Sequence, residues 1–379
     1  MKLKIFSNRN YLLEKTLPAT LKYVPIFAPF WGELSEDPKH FKKGRFQKLT
    51  EKGHSFLEMT SLEECDLAIF PYHWHLLGSN EEVYNLARQF IKKAQQLGKP
   101  VAIFFHGDWK YDENIENTIV FYTSSFQSRR KQNEFAMPEW TTDFIDQKFE
   151  GRISIRDKQT KPKVGFCGYA PPLGLPFGFK KIKAFVRLTG DMVGLSEKFY
   201  AKTGHTNRVI ALSNLAKSSL IETKFITRQH FAFASKALQG SSLEAEKIKM
   251  AQKLRMEYFQ NMIDSDYVVC CSGYENYSIR LYETLSCGRI PVFINTDCVL
   301  PYDFAIDWKK YCVWVDQSEL SSIAEKIVDF HNNLSAEEFV NLQHRCRELW
   351  EQLISPEGFF SNLYRHLEQY NSQLNTFNK

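Results

Sequence analysis

The chain has 379 residues and nowhere approaches the roughly 20 consecutive apolar residues that a membrane-crossing helix requires. Its opening, MKLKIF, passes at once into polar SNRN, so the apolar centre of a secretory signal is missing and a cytoplasmic setting is expected. The eight cysteines (Cys65, Cys167, Cys270, Cys271, Cys287, Cys298, Cys312, Cys346) show no Cys-x-x-Cys spacing, and most stand in apolar runs. That pattern argues against a disulfide framework or a zinc site and for buried thiols in a reducing compartment. Charge of one sign is in short supply as well: 49 Lys+Arg against 44 Asp+Glu leave a net +5. So small and dispersed a surplus argues against a nucleic-acid partner. It suits a small anionic ligand, or a weak peripheral contact with anionic lipid at the inner face of a membrane. Internal repeats and low-complexity tracts are absent.

What is present is an ordinary globular composition, 43% hydrophobic and 25% charged, rich in aromatics at 15%. The length suits two domains. Residues 1–150 alternate strand and helix. Strands are expected at 2–6, 66–71, 101–105 and 119–122, and an amphipathic helix at 81–96 through Val83, Leu86, Phe90 and Ala94. This rhythm predicts a mainly parallel sheet covered on both faces. Residues 151–163 are polar, basic and broken by a proline, and read as a linker. A second α/β domain is expected over 164–335, with a strand at 164–167 and helices at 179–188, 208–220 and 318–333. A helical segment, 336–379, follows, interrupted near 355–358.

The most informative stretch is 266–315. Residues 267–271 form an apolar run that suits a strand buried on both faces. Residues 272–277 are small and polar, 278–287 are helical, Gly288 sits at the C-terminal cap, and 290–294 form a second buried strand. A loop between the end of a parallel strand and the start of a helix is where α/β folds bind anions. Arg280 and Glu283 stand three residues apart on that helix. Guanidinium for phosphate and carboxylate for ribose hydroxyls suit a nucleotide; the alternative is an ion pair with each other. Gly273 lets backbone approach a ligand, and Ser278 is placed to cap the helix. Tyr274 is placed either to stack on a base or simply to stand exposed, and Asn276 completes the loop.

Two Rossmann-like α/β domains with C-terminal helices returning to the first have the outline of a GT-B glycosyltransferase, in which the domains face each other across a cleft. Periplasmic binding proteins and some epimerases share that outline. The residues Gly273, Ser278, Arg280, Glu283, Leu285, Gly288, Ile290, Pro291, Val292, Ile294, Leu300, Pro301, Tyr302 and Trp308 narrow the choice. In that order and spacing they resemble the exostosin family of glycosyltransferases. The likeness is densest over residues 262–316, looser over 160–235, and a matter of outline before that. It implies a GT-B fold, a nucleoside-diphosphate sugar as co-substrate (commonly UDP-linked), no cofactor, and inversion at the anomeric carbon. The acceptor would be a glycan or glycolipid hydroxyl in surface polysaccharide or glycolipid synthesis. Related proteins carry an arginine just before the loop glycine, where this chain has Ser272. That departure keeps two other readings open: a fucosyltransferase-like enzyme using a GDP-sugar, and a non-catalytic binding partner.

The resemblance also places Arg208, at the start of the expected 208–220 helix, near the diphosphate, with Arg228 a surface arginine or a weaker candidate. Inversion needs a base for the acceptor proton. Asp108, just past the 101–105 strand, is the expected base, with His106 orienting it; His73, His75 and Glu139 are alternatives. His73 and His75 suggest no third metal ligand. The chain is read as lacking an Asp-x-Asp arrangement of the type that holds a nucleotide-bound metal, so metal-independent transfer is expected. Tyr72, Trp74, Trp109 and Trp140 are either an acceptor platform or core packing. Gly288 and Pro291 are read as structural.

Overall fold

The computed structural model describes residues 2–12, 23–32, 44–74, 81–106, 117–170, 197–228 and 244–377. The chain divides into two compact units. Residues 1–142, 298–306 and 349–379 form the first, and residues 143–297 and 307–348 the second.

The first unit is built on a six-stranded sheet of order β2-β1-β3-β4-β5-β6. Its strands are β1 (Leu3–Phe6), β2 (Leu57–Met59), β3 (Leu67–His73), β4 (Val101–Phe105), β5 (Thr118–Tyr122) and β6 (Glu134–Ala136). Every pairing is parallel. Alternation along a strand sends successive side chains to opposite faces. Val101, Ile103 and Phe105 of β4 join Phe70 of β3 against Val83, Ala87, Phe90 and Ala94 of the Glu81–Gln96 helix. Ala102 and Phe104 face the other way, into a core completed by Phe359, Phe360 and Leu363. Both faces are therefore covered, as apolar runs such as VAIFF require.

The excursion 298–306 puts Tyr302 into this second core, 1% exposed, with its hydroxyl donating to the Phe359 carbonyl at 3.0 Å. Arg130 and Asp303 close the same region at 2.5 Å. The Leu300-Pro301-Tyr302 part of the exostosin-like pattern thus serves the packing of the first unit. Tyr72 and Trp74 lie in one core layer of this unit and Trp140 in the other, at 2, 7 and 6% exposure. Of the two readings of these three rings, core packing is the one that burial supports; Trp109 lies outside the described residues.

The second unit has a five-stranded parallel sheet, β7 (Lys163–Tyr169), β8 (Glu222–Arg228), β9 (Tyr267–Cys270), β10 (Ile290–Asn295) and β11 (Val313–Asp316). Its order is β11-β10-β9-β7-β8. The chain runs outward from β7 to β8, then returns to the other side of β7 to lay down β9, β10 and β11. The order therefore reverses between β7 and β9, and the carboxyl ends of those two strands are where an open α/β sheet binds its ligand. Residues 152–162 have no regular structure but are tied to this unit. Arg156 Nε lies 2.6 Å from Asp266 Oδ1, and the Arg156 carbonyl accepts from Gln343 Nε2 at 2.8 Å.

Arg289 is the largest fully buried side chain of this unit. Its guanidinium donates to the carbonyls of Ile263 (3.0 and 2.8 Å), Gly288 (3.0 Å) and Ser154, and to Gln343 Oε1 at 3.1 Å. Burial lowers its pKa to about 10, which leaves it charged at neutral pH. Gly288, beside it, adopts φ +63°, and a Cβ there would lie 2.7 Å from Ile153 Cδ1. Arg289→Met orphans this set of buried acceptors and is expected to destabilise the second unit by about 3 kcal/mol or more, read as a lower urea midpoint. An unchanged midpoint removes the strut role.

No described helix is long and apolar enough to cross a membrane.

Candidate functional site

The carboxyl ends of β7 and β9 carry two arginines. Arg280 lies in the first turn of the Ile279–Ser286 helix, and its Nη2 donates to the Cys167 carbonyl of β7 at 2.8 Å. Its guanidinium sits over the Phe166 ring at 4.3 Å and near Tyr258 at 5.4 Å. Gly168 makes the approach possible: its φ is +154°, and a Cβ there would stand 2.7 Å from Arg280 Nη2. Arg208 reaches the same place from the Glu197–Lys217 helix. Its Nη1 donates to the Tyr169 carbonyl at 3.0 Å, and its Nη2 to the carbonyls of Ser272 and Cys271 at 3.0 and 3.3 Å. It too lies over Phe166, at 5.9 Å.

Arg208 was expected to begin a helix, with residues 204–207 before it. In the structure the helix starts at Glu197 and Arg208 is interior to it. Gly204 is the reason the pattern misleads. It is needed for close approach, since a Cβ there would fall 2.5 Å from the Gly273 carbonyl oxygen and 2.8 Å from that of Ser272. The glycine presses the helix onto the loop after β9 and so delivers Arg208.

Burial depresses the pKa of Arg208, and the positive Arg280 adds to the effect. For Arg280, burial pulls the same way but is outweighed by Tyr258, Cys270 and Glu283. Neither arginine forms an ion pair among the described residues, and the Nε of each is a buried donor without a hydrogen-bond partner. Like charges held together with donors to spare are an arrangement that an anion would complete.

Glu283, on the same short helix, is 6% exposed. Instead of pairing with Arg280 by a hydrogen bond, it accepts one from Tyr258 Oη at 2.6 Å. Tyr258 lies on the Glu244–Ile263 helix, as does Arg255, whose charge is felt by Glu283. Burial first, then Glu283, raises the Tyr258 pKa well above its usual value. This helix was missing from the sequence reading. Its run of Glu, Lys, Met, Ala and Leu is the signal that identifies it.

The loop itself divides. Tyr274 is 61% exposed, its ring edge-on to His205 at 5.0 Å, and His205 is edge-on to Tyr169 at 5.2 Å. Burial, then Arg208, lowers the His205 pKa and keeps that ring neutral. Asn276 turns inward: its Oδ1 accepts from Thr296 Oγ1 at 2.7 Å and its Nδ2 donates to the Asp297 carbonyl at 3.3 Å. Asn276 braces the loop against the chain that leaves β10. Gly273 faces Arg208, with a Cβ there meeting Nη2 only at 3.9 Å. Ser278 holds the N-cap position with extended backbone, but its hydroxyl makes no capping bond. The expected side-chain cap is therefore corrected. Arg228 ends β8 and is ion-paired with Glu257.

An Asp-x-Asp triplet does occur, at Asp264-Ser265-Asp266, immediately before β9. It stands at the amino end of the strand. Asp266 is taken by Arg156 and by the Lys163 amide (2.8 Å), and Asp264 by Lys224 and Gln260. Its chemistry is structural. No cluster of metal-binding side chains occurs among the described residues.

On the first unit, His106 follows β4 and lies 2.5 Å from Glu139 Oε2. His73 ends β3. Asp108 and His75 lie outside the described residues.

Residues 215–329 match the model of the exostosin GT47 domain. That span contains the loop, Arg280, Glu283 and the Glu244–Ile263 helix; Arg208 and the first sheet lie before it. Among similar curated proteins, exostosin-1 of Drosophila melanogaster is 30% identical over 98 residues, 26% of this chain and 12% of that protein. "Probable glucuronosyltransferase 47 A" of Physcomitrium patens is 37% identical over 71 residues, 19% of this chain and 16% of that protein. "Probable beta-1,4-xylosyltransferase IRX10L" of Arabidopsis thaliana is 36% identical over 63 residues, 17% of this chain and 15% of that protein. The chain thus covers less than a fifth of the length of these relatives. The match and the relatives make residues 215–329 of this chain similar to the exostosin GT47 domain.

Proposed function

We propose that the protein is an inverting glycosyltransferase of GT-B arrangement. It moves a sugar from a nucleoside-diphosphate donor, UDP-linked, held by the second unit, to a hydroxyl of a glycan or glycolipid acceptor bound by the first. The observation that carries this reading is the pair of guanidiniums, Arg208 and Arg280, at the strand-order reversal between β7 and β9, each with an unpartnered Nε. They are suited to the diphosphate and to the negative charge that grows on it as the sugar leaves. Arg208 supplies from a neighbouring helix the cation that related proteins place just before the loop glycine, where this chain has Ser272.

The remaining parts follow from their chemistry. Tyr274, exposed against His205, offers a ring for the base. A carboxylate accepts several hydrogen bonds, so Glu283 can hold Tyr258 and also take ribose hydroxyls. With two guanidiniums and the backbone of residues 273–278 offsetting charge, transfer is metal-independent on this reading. All eight cysteines are buried and none is in a disulfide, which supports a reducing, cytoplasmic setting.

Isothermal titration calorimetry tests the donor site. UDP is expected to bind, and to bind equally with EDTA present. GDP binding in place of UDP would redirect the reading to a GDP-sugar. No heat from UDP, GDP or CMP would end it.

A further inference from the structure

Arg280 and Glu283 stand three residues apart in the Ile279–Ser286 helix, a spacing at which a guanidinium and a carboxylate can pair with each other. That pair is not made. The guanidinium turns to the Cys167 carbonyl at 2.8 Å, and Glu283 Oε2 accepts from Tyr258 Oη at 2.6 Å. Tyr258 stands beside both: its hydroxyl is on the carboxylate, and its ring centroid lies 5.4 Å from Arg280 Cζ. Arg255, on the same helix as Tyr258, is a further charge that Glu283 meets, with its guanidinium over the Phe259 ring at 5.3 Å.

The helix that carries Tyr258, Glu244–Ile263, is fixed to the second unit's sheet at this end. Gly165 of β7 lets it approach, since a Cβ there would lie 3.2 Å from the Asn261 carbonyl oxygen, and Asn261 Nδ2 donates to the Lys224 carbonyl of β8 at 2.8 Å. Phe259 stacks on Phe144 with ring centroids 3.9 Å apart. The phenol therefore has a fixed place. Burial, then Glu283, holds its pKa well above the ordinary value, so it stays protonated and acts as a donor. A carboxylate that takes this donor has the capacity to accept from ribose hydroxyls as well. A carboxylate paired with Arg280 would instead offset the charge that suits a diphosphate.

We propose that Tyr258 is a positioning residue of the donor site: its hydroxyl keeps Glu283 from pairing with Arg280, so that the carboxylate serves the ribose and the guanidinium the diphosphate, and the site prefers ribonucleotides to deoxyribonucleotides. The proposal rests on the donor-site reading above. One hydroxyl that touches no ligand thereby governs two contacts. Without it Glu283 loses its donor, and the cation three residues before it on its own helix takes that donor's place.

The test is calorimetric binding of UDP, deoxy-UDP and pyrophosphate to the wild type, Tyr258→Phe, Glu283→Gln and the double variant. The wild type is expected to bind UDP about 10-fold or more tighter than deoxy-UDP. Tyr258→Phe keeps the ring and removes the hydroxyl. It is expected to bind pyrophosphate about 10-fold more weakly and to lose the preference for ribose. Glutamine cannot neutralise a guanidinium. In the double variant, therefore, pyrophosphate affinity should return to that of Glu283→Gln alone, while the ribose preference stays lost. A tyrosine that merely packs would weaken pyrophosphate binding alike with and without Glu283, and that result overturns the proposal. So does pyrophosphate binding untouched by Tyr258→Phe, the outcome if Glu283 turns to Arg255 instead. Equal affinity of the wild type for UDP and deoxy-UDP overturns it as well. Should Tyr258→Phe fail to fold, Glu283→Gln still decides: loss of the ribose preference with pyrophosphate affinity kept supports the proposal, and a retained preference overturns it. If UDP fails to bind the wild type, the donor-site reading itself falls, an outcome distinct from these.

Discussion

Arg280→Met is expected to weaken UDP binding by about 100-fold or more at only a small cost to the stability of the unliganded protein. The two effects have one cause. A guanidinium that meets a buried diphosphate makes charge-assisted, paired hydrogen bonds, and truncating one partner of such a contact costs on the order of 2–5 kcal/mol. Without ligand, the same guanidinium has one backbone acceptor, the Cys167 carbonyl, a buried Nε without a partner, and a like charge in Arg208 nearby. Removing it relieves the repulsion from Arg208 but forfeits the Cys167 bond, the contact with Phe166 and the attraction of Glu283, so the apo protein loses a little stability. A residue placed for packing behaves the other way: its loss lowers stability and leaves binding alone.

Arg280→Lys should restore little affinity, because an ammonium cannot present two parallel donors. Arg208→Met should also lose UDP, but with a stability cost, since Arg208 satisfies carbonyls of Tyr169, Cys271 and Ser272. Calorimetry with UDP and a urea titration on each variant separate these cases. Unaltered UDP affinity in Arg280→Met, or a lower urea midpoint with affinity retained, would remove Arg280 from the donor site.

How far the sequence reveals this site depends on whether burial or tertiary approach carries the information. β9, β10 and the short helix between them are legible because strands buried on both faces read as apolar runs closed by Gly288. β8 is not. It is an edge strand, ETKFITR, half-buried along its length, and its pattern offers neither a run nor a clean alternation. Arg280 and Glu283 are legible as a pair, yet their bonds are not: each turns to a partner more than 20 residues away, Cys167 and Tyr258. Gly204 reads locally as a break, and only the packed loop explains it. The same holds for Tyr72, Trp74 and Trp140, whose aromatic character suits a sugar platform and a core equally until burial decides. Glu139 could be named from sequence as a candidate; its bond to His106 spans 33 residues of chain and is fixed by where β4 and β6 end.

His366→Phe is expected to stabilise the protein at neutral pH and to do so increasingly as the pH falls. His366 is fully buried in the first unit. Its ring lies against Phe121 at 5.1 Å, Phe135 at 5.3 Å, Tyr302 at 4.4 Å, Phe304 at 5.2 Å and Phe359 at 5.4 Å, and neither ring nitrogen has a hydrogen-bond partner. Burial, with Arg365 adding to it, lowers its pKa to about 3 from the ordinary 6.5. Between those values the unfolded chain binds a proton that the folded chain refuses. Stability therefore falls as pH drops below 6.5, by up to about 1.4 kcal/mol per pH unit, and the loss ends only near the folded value. Phenylalanine ends both costs: the orphaned polar atoms, worth about 1–3 kcal/mol at pH 7, and the acid slope. The buried His331 of the second unit, also lowered by burial, contributes a slope of the same sign. The informative quantity is thus the gap between variant and wild type, not the wild-type slope. Urea denaturation at pH 7 and pH 5 should show that gap widening by about 2 kcal/mol. A gap that stays constant between the two would mean that His366 takes up its proton in the folded state, and that the aromatic layer over β5 and β6 opens to admit it.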